Sequence, residues 1–230
     1  MAFRGVIFDK DGTLFDLQRT WGGWTGRFIE ELAAGDREMA SRLAHVLRYD
    51  PVARRLLPGS IVIAGTPDEI ETVLLSALGP TFGPLHLRER IADSAESVDP
   101  VEAVPLLPLL EALLARGLTL GIVTNDAEAA ARAQLRAVGV ETRFHAILGY
   151  DSGYGAKPDP RPLRAFVVLH GLRPEETVMV GDSPRDLEAG RAAGMATVAI
   201  RSDLFDDTEL APLADAMLED VGGLLDWLAG

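Results

Sequence analysis

The chain has no cysteine among its 230 residues, and only two of its 22 basic residues are lysines, Lys10 and Lys157. The missing thiol excludes disulfides, zinc–thiolate centres, iron–sulfur clusters and cysteine nucleophiles, and it agrees with a reducing, cytoplasmic setting. Scarce lysine leaves two candidates for any chemistry that needs a compact ammonium. The histidines His45, His86, His145 and His170 show no metal-ligand spacing and read as core or surface residues. Long apolar runs are missing too. The oiliest stretch, Val104 to Val123, is broken by Pro105, Pro108, Glu111 and Arg116, so no membrane partner is expected. The Met-Ala-Phe-Arg-Gly start has the pattern of neither a signal nor a transit peptide. Positive charge is in deficit, 22 basic against 35 acidic residues for a net −13, which weighs against a nucleic-acid partner. A small anionic molecule fits if basic groups are focused locally.

What is present is globular: 47% hydrophobic and 25% charged residues, at a length that suits one large domain carrying a smaller insertion. Five short aliphatic runs recur, at Val6–Phe8, Leu118–Val123, Ala146–Leu148, Thr177–Val180 and Ala196–Ile200. Each is followed by polar or glycine-rich turn residues, and helical patterns alternate with the later runs. The helical patterns Leu106–Arg116, Ala127–Val138, Pro160–His170 and Pro184–Ala193 each stop at a glycine. This β–α repetition predicts a doubly wound, Rossmann-like α/β domain with a five-stranded parallel sheet.

Residues 17–97 break the rhythm. Trp21, Trp24, Phe28 and Leu32 recur at helical spacing, as do Met39, Leu43 and Leu47. Thr66-Pro67-Asp68-Glu69 reads as an N-cap, a proline at the first helical position and a capping-box glutamate. Another helix is expected over Leu85–Ala95, and Ile61–Ala64 fits a loop or helix edge better than a strand. We therefore expect a core domain of residues 1–16 and 98–230, interrupted by a mostly helical insertion at 17–97.

In open α/β sheets ligands bind beyond the carboxyl ends of the strands. Those ends carry Asp9-Lys10-Asp11-Gly12-Thr13, Thr124-Asn125-Asp126, and Gly181-Asp182-Ser183-Pro184-Arg185-Asp186, and Lys157-Pro158 follows in a loop. Strand periodicity aims Asp9 and Asp11 one way and Lys10 another, giving Lys10 a structural or solvated role. Carboxylates gathered without cysteine or histidine suit a hard cation, and Mg²⁺ is the usual choice with phosphate substrates. One carboxylate could serve as nucleophile and a second could move the proton.

Asp9-x-Asp11-Gly-Thr, Thr124-Asn, Lys157-Pro and Gly181-Asp-x3-Asp186, in that order, resemble the four motifs of the haloacid dehalogenase superfamily. The insertion after the first motif resembles the helical cap of its phosphoglycolate phosphatase-like branch. The resemblance implies a Mg²⁺-dependent phosphatase acting on a small phosphorylated metabolite through an aspartyl-phosphate. It makes Asp9 the nucleophile and a metal ligand, and Asp11 the acid/base and a ligand through its backbone carbonyl. Thr124 and the Asn125 N–H would hold the phosphoryl group, Lys157 would neutralise its charge, Asp182 would be the second carboxylate ligand, and Asp186 would support from behind. Trp24 and Arg27 are the expected substrate contacts of the cap, with Trp21 a weaker candidate. A monomer or homodimer would suffice.

Neighbouring chemistries compare less well. A dehalogenase has no need of Asp11, and a phosphonoacetaldehyde hydrolase needs a cap lysine that 17–97 lacks. A phosphomutase of the β-phosphoglucomutase type usually carries histidine where Trp21 stands. A phospho-ligand sensor would have no use for the full set of reactive residues.

Overall fold

The computed structural model describes residues 3–79 and 82–230; Met1 and Ala2 of the amino-terminal stretch read above lie outside them. Six strands form one sheet: β1 (Gly5–Phe8), β2 (Thr119–Val123), β3 (Ala146–Leu148), β4 (Thr177–Gly181), β5 (Ala196–Ile200) and β6 (Ala216–Leu218). Their spatial order is β3-β2-β1-β4-β5-β6, and every neighbouring pair is parallel. The chain starts in the middle, winds outward through β2 and β3, then crosses back to wind the other way. This is the doubly wound Rossmann order, and its switch point lies between β1 and β4.

The expected count of five strands is corrected to six. Strand β6 is three residues long, half-buried at the sheet edge and without a β-branched residue. So short a run carries almost no periodic signal.

Alternation explains the two faces. Val6 and Phe8 join Leu110, Ile122 and Val180 in one core cluster, whereas Ile7 joins Phe166 and Met179 in the other. Helices Leu106–Ala115 and Glu128–Ala137 cover the first face, and Arg161–Leu169 and Pro184–Ala193 the second. Each fully buried side chain of this kind stabilises the fold by roughly 1.5–3 kcal/mol.

Between β1 and β2 the chain is helical: a π-helical turn Gln18–Gly22, then helices Gly23–Ala33, Arg37–Val46, Ile61–Ala64, Pro67–Leu78 and Pro84–Glu96. A hairpin of two-residue strands, Tyr49–Asp50 with Arg55–Leu56, interrupts them. The Thr66 hydroxyl accepts from the Glu69 N–H (3.3 Å) and the Glu69 carboxylate accepts from the Thr66 N–H (2.8 Å), closing the capping box. This segment has its own core, in which Trp24, Phe28, Leu43, Leu74 and Ile91 meet. Among the described residues, no helix is long and apolar enough to cross a membrane.

Candidate active site

Asp9 follows the last residue of β1 and Asp182 the last residue of β4, the two strands that flank the switch point. The Asp9 N–H donates to the Val180 carbonyl at 2.8 Å, which ties the two strand ends together. Asp186 lies in the first turn of the helix Pro184–Ala193, where its carboxylate accepts from the Ser183 N–H (3.0 Å) and hydroxyl (2.7 Å). Carboxylate oxygens of Asp9, Asp182 and Asp186 lie within 4.8 Å of one another. Lys157 enters from the loop after β3, its Nζ 2.5 Å from Asp9 Oδ1 and 2.6 Å from Asp186 Oδ1.

Two glycines make room for this cluster. Gly12 has φ +87°, and a Cβ there would come within 2.1 Å of Asp182 Oδ2. A Cβ on Gly181 would stand 2.4 Å from the Asp186 Cβ.

Three buried carboxylates face one buried ammonium, and the surplus of negative charge shows in their titration. Burial pushes the Asp9 carboxyl up and Lys157 draws it back; with repulsion from Asp186 and Asp11, it settles at about 7. Burial, reinforced by Asp9 and Asp186, holds Asp182 well above the usual carboxylate range. For Lys157 burial opposes the charge, but Asp186 and Asp9 outweigh it and hold the ammonium above an ordinary lysine. Asp182 Oδ2 is buried with no hydrogen-bond partner. An all-oxygen donor set with surplus negative charge and an unpartnered buried oxygen fits a hard divalent cation.

Thr124 and Asn125 line the same cleft from the end of β2. The Asn125 side chain is committed elsewhere. Its Oδ1 accepts from the Lys157 N–H (2.8 Å), and its Nδ2 donates to the Lys157 carbonyl (3.0 Å) and the Ala64 carbonyl (3.0 Å). Asn125 thus clamps the backbone that carries Lys157, a function its place in a strand-end triplet does not reveal.

Asp11 also lines the cleft, but its carboxylate is turned to other partners. Trp21 Nε1 donates to Oδ1 at 2.7 Å, and Lys10 Nζ to Oδ2 at 2.6 Å. The expected placement of Lys10 away from the carboxylates is therefore corrected. Strand β1 ends at Phe8, so period-two alternation no longer governs position 10, and the side chain is wholly buried. Its Nζ also donates to Gln134 Oε1 (2.5 Å) and forms an ion pair with Asp126 Oδ2 (3.2 Å).

Among the expected contacts from 17–97, Trp24 lines the cleft and Trp21 does as well. Trp24 stacks on Phe28 (4.9 Å between centroids) and meets the edge of Trp21 (5.0 Å), while its Nε1 is buried without a partner. Arg27 is corrected: it is exposed and does not line the cleft. Arg27 lies about 100° round the helix from Phe28, at the margin of the buried stripe, and its side chain reaches solvent. Among the described residues, the cations that line the cleft are Lys157 and Arg185. Arg185 sits one residue before Asp186, and its place in the first turn of a helix at a strand end is the signal that could have singled it out.

A family model for haloacid dehalogenase-like hydrolases matches residues 3–194. The chain belongs to that family. Over 228 residues it is 32% identical to a phosphoglycolate phosphatase of Rhodospirillum rubrum, covering 98% of this hydrolase and 90% of that relative. It is 25% identical to the pyrophosphatase PpaX of Oceanobacillus iheyensis, covering 98% of this chain and 96% of that one. Among solved structures, a predicted phosphoglycolate phosphatase from Haemophilus somnus superposes with a TM-score of 0.72 at 20% identity, over 98% of this hydrolase and 97% of that chain. That likeness is one of fold.

Proposed function

We propose that this hydrolase is a divalent-metal-dependent phosphatase of small phosphorylated metabolites, working through an aspartyl-phosphate on Asp9. The observation that carries the reading is the convergence of Asp9, Asp182, Asp186 and Lys157 at the switch point. The name of the R. rubrum relative supports phosphate monoesters as the substrate class, with phosphoglycolate the first to test.

A carboxylate oxygen of Asp9 attacks phosphorus, the ester P–O bond breaks, and the leaving oxygen departs with a proton from Asp11. Asp11, now a carboxylate, takes a proton from water as the water oxygen attacks phosphorus and the bond to Asp9 breaks. Inorganic phosphate and the free alcohol are the products. Lys157 offsets the charge gathering between Asp9 and the phosphoryl oxygens, and Thr124 supplies a hydroxyl to them. Asp9, Asp182 and the Asp11 backbone carbonyl would hold Mg²⁺. When bound, the ion lowers the repulsion between carboxylate and phosphate and polarises the phosphoryl oxygens.

Residues 17–97 act as a cap over the core formed by 1–16 and 98–230. The core that these helices build largely among themselves, and their contribution of Trp21, Trp24, Ile63 and Ile70 to the cleft wall, support that division. The test is hydrolysis of p-nitrophenyl phosphate, phosphoglycolate and pyrophosphate with Mg²⁺ and with a chelator. Metal-dependent release of phosphate from an ester supports the reading; absence of turnover on every ester overturns it.

A further inference from the structure

Lys10 is the one buried ammonium that the mechanism above leaves idle. It is 0% exposed, and its surroundings on every side are defined. Asp11 and Gln134 accept hydrogen bonds from its Nζ and Asp126 pairs with its charge at 3.2 Å, while the rings of Trp21 and Phe15 lie 5.4 and 5.8 Å from Nζ. A charge buried this deeply costs several kcal/mol in desolvation before its partners offset it.

The partners suggest what the charge is for. Each oxygen of Asp11 is held by a separate donor, Oδ2 by Lys10 and Oδ1 by the Trp21 indole. Trp21 stands on the π-helical turn where the chain enters the helical segment. On the other side, Gln134 accepts from Lys10 through Oε1 and donates through Nε2 to the Ala95 carbonyl (3.2 Å). Ala95 lies near the end of the last helix of that segment, before the chain returns to the sheet through the helix Leu106–Ala115. Both crossings between core and helices are therefore wired to one carboxylate.

We propose that Lys10 is a positioning residue for Asp11: together with Trp21 it fixes the orientation of the carboxylate and ties it to the placement of the helical segment. The inference rests on the phosphatase reading, in which Asp11 donates the proton to the leaving oxygen. As Asp11 gives up that proton its charge develops between two preset donors, so no reorganisation is needed at that moment.

The experiment compares kcat/KM, which reports steps through loss of the leaving group, on an alkyl phosphate and on p-nitrophenyl phosphate. The alkyl ester needs protonation of its leaving oxygen and the aryl ester does not. Lys10→Met should lose at least about tenfold more on the alkyl ester than on the aryl ester, the signature of impaired acid catalysis. Trp21→Phe removes the N–H donor while leaving an aromatic ring, and should show the same skew; it decides the matter if Lys10→Met fails to fold. In an Asp11→Asn background, adding Trp21→Phe should leave the alkyl-to-aryl ratio unchanged, because the two act through one group. Equal losses on both esters, or additive skew in the double variant, would overturn the assignment while leaving the phosphatase reading intact. A wild type that turns over neither ester would remove both.

Discussion

Arg185 and Glu69 face each other across the cleft with two parallel contacts, Nη1 to Oε2 at 2.9 Å and Nη2 to Oε1 at 3.0 Å. One comes from the helix after β4, the other from the helix Pro67–Leu78, so the pair joins the sheet edge to the helical segment. Both side chains are part-exposed, and such pairs are worth at most about 1 kcal/mol. Position matters more than strength here: the pair neutralises the guanidinium that lines the cleft.

Acid should loosen this contact. The Arg185 guanidinium, helped by the Thr66 N–H and opposed by partial burial, holds the Glu69 carboxyl below its ordinary value of 4.5. A depressed carboxylate contributes stability that is complete above its unfolded pKa and is lost as pH falls through its folded pKa. Wild-type protein should therefore lose more thermal stability than Glu69→Gln between neutral pH and about pH 3, most of it below the ordinary carboxyl value. Thermal midpoints followed across that range check it, and parallel curves would show that the pair carries no pH-dependent stability.

Replacing the nucleophile should abolish turnover without unfolding the protein. In Asp9→Asn, Lys157 keeps Asp186 as a partner at 2.6 Å, so no buried ammonium is stranded. A carboxamide is a far poorer nucleophile, and kcat should fall by more than about a thousandfold. Circular dichroism and initial rates on freshly purified protein are the measurements, and retained activity would remove the covalent route.

Much of this site is legible in the chain because it depends on local rules. Asp9 and Asp182 stand where aliphatic runs stop, and the Thr66 capping box is a four-residue pattern that closes as read. What escapes is set by distant partners. Lys10 finds Gln134, 124 positions away, only after the chain has left strand geometry. Arg27 carries the charge expected of a cap contact but occupies the outer face of its helix, while Arg185, hidden in a helix start, lines the cleft. Strand β6 gains its identity from pairing with β5, not from its own three residues.

Metal binding should be visible as stabilisation, independently of turnover. A ligand that binds only the folded state at about 100 times its Kd adds roughly 2.7 kcal/mol. Saturating Mg²⁺ should raise the melting temperature of the wild type, and Asp182→Asn should lose most of that rise. Gly12→Ala should lose it as well, because a Cβ 2.1 Å from Asp182 Oδ2 must displace the carboxylate, and φ +87° strains any L side chain. Undiminished Mg²⁺ shifts in both variants would place the cation elsewhere.

Trp24 and Arg27 separate a cleft wall from an outer helix face. Trp24 lines the cleft with a buried ring whose indole N–H has no partner, only three residues from the exposed Arg27. Trp24→Phe leaves an aromatic ring against Phe28 but removes that donor, so a changed ester preference without lost thermal stability reports hydrogen bonding to the substrate. On a panel of phosphate esters, Trp24→Phe should reorder preference among esters with oxygen-bearing leaving groups by several-fold, with little change on p-nitrophenyl phosphate; an ordinary hydrogen bond of about 1 kcal/mol corresponds to that factor. Arg27→Ala should leave the order as it is. If Arg27→Ala alone changed the ranking of carboxylate-bearing esters, the exposed helix face would have to turn toward the substrate during turnover.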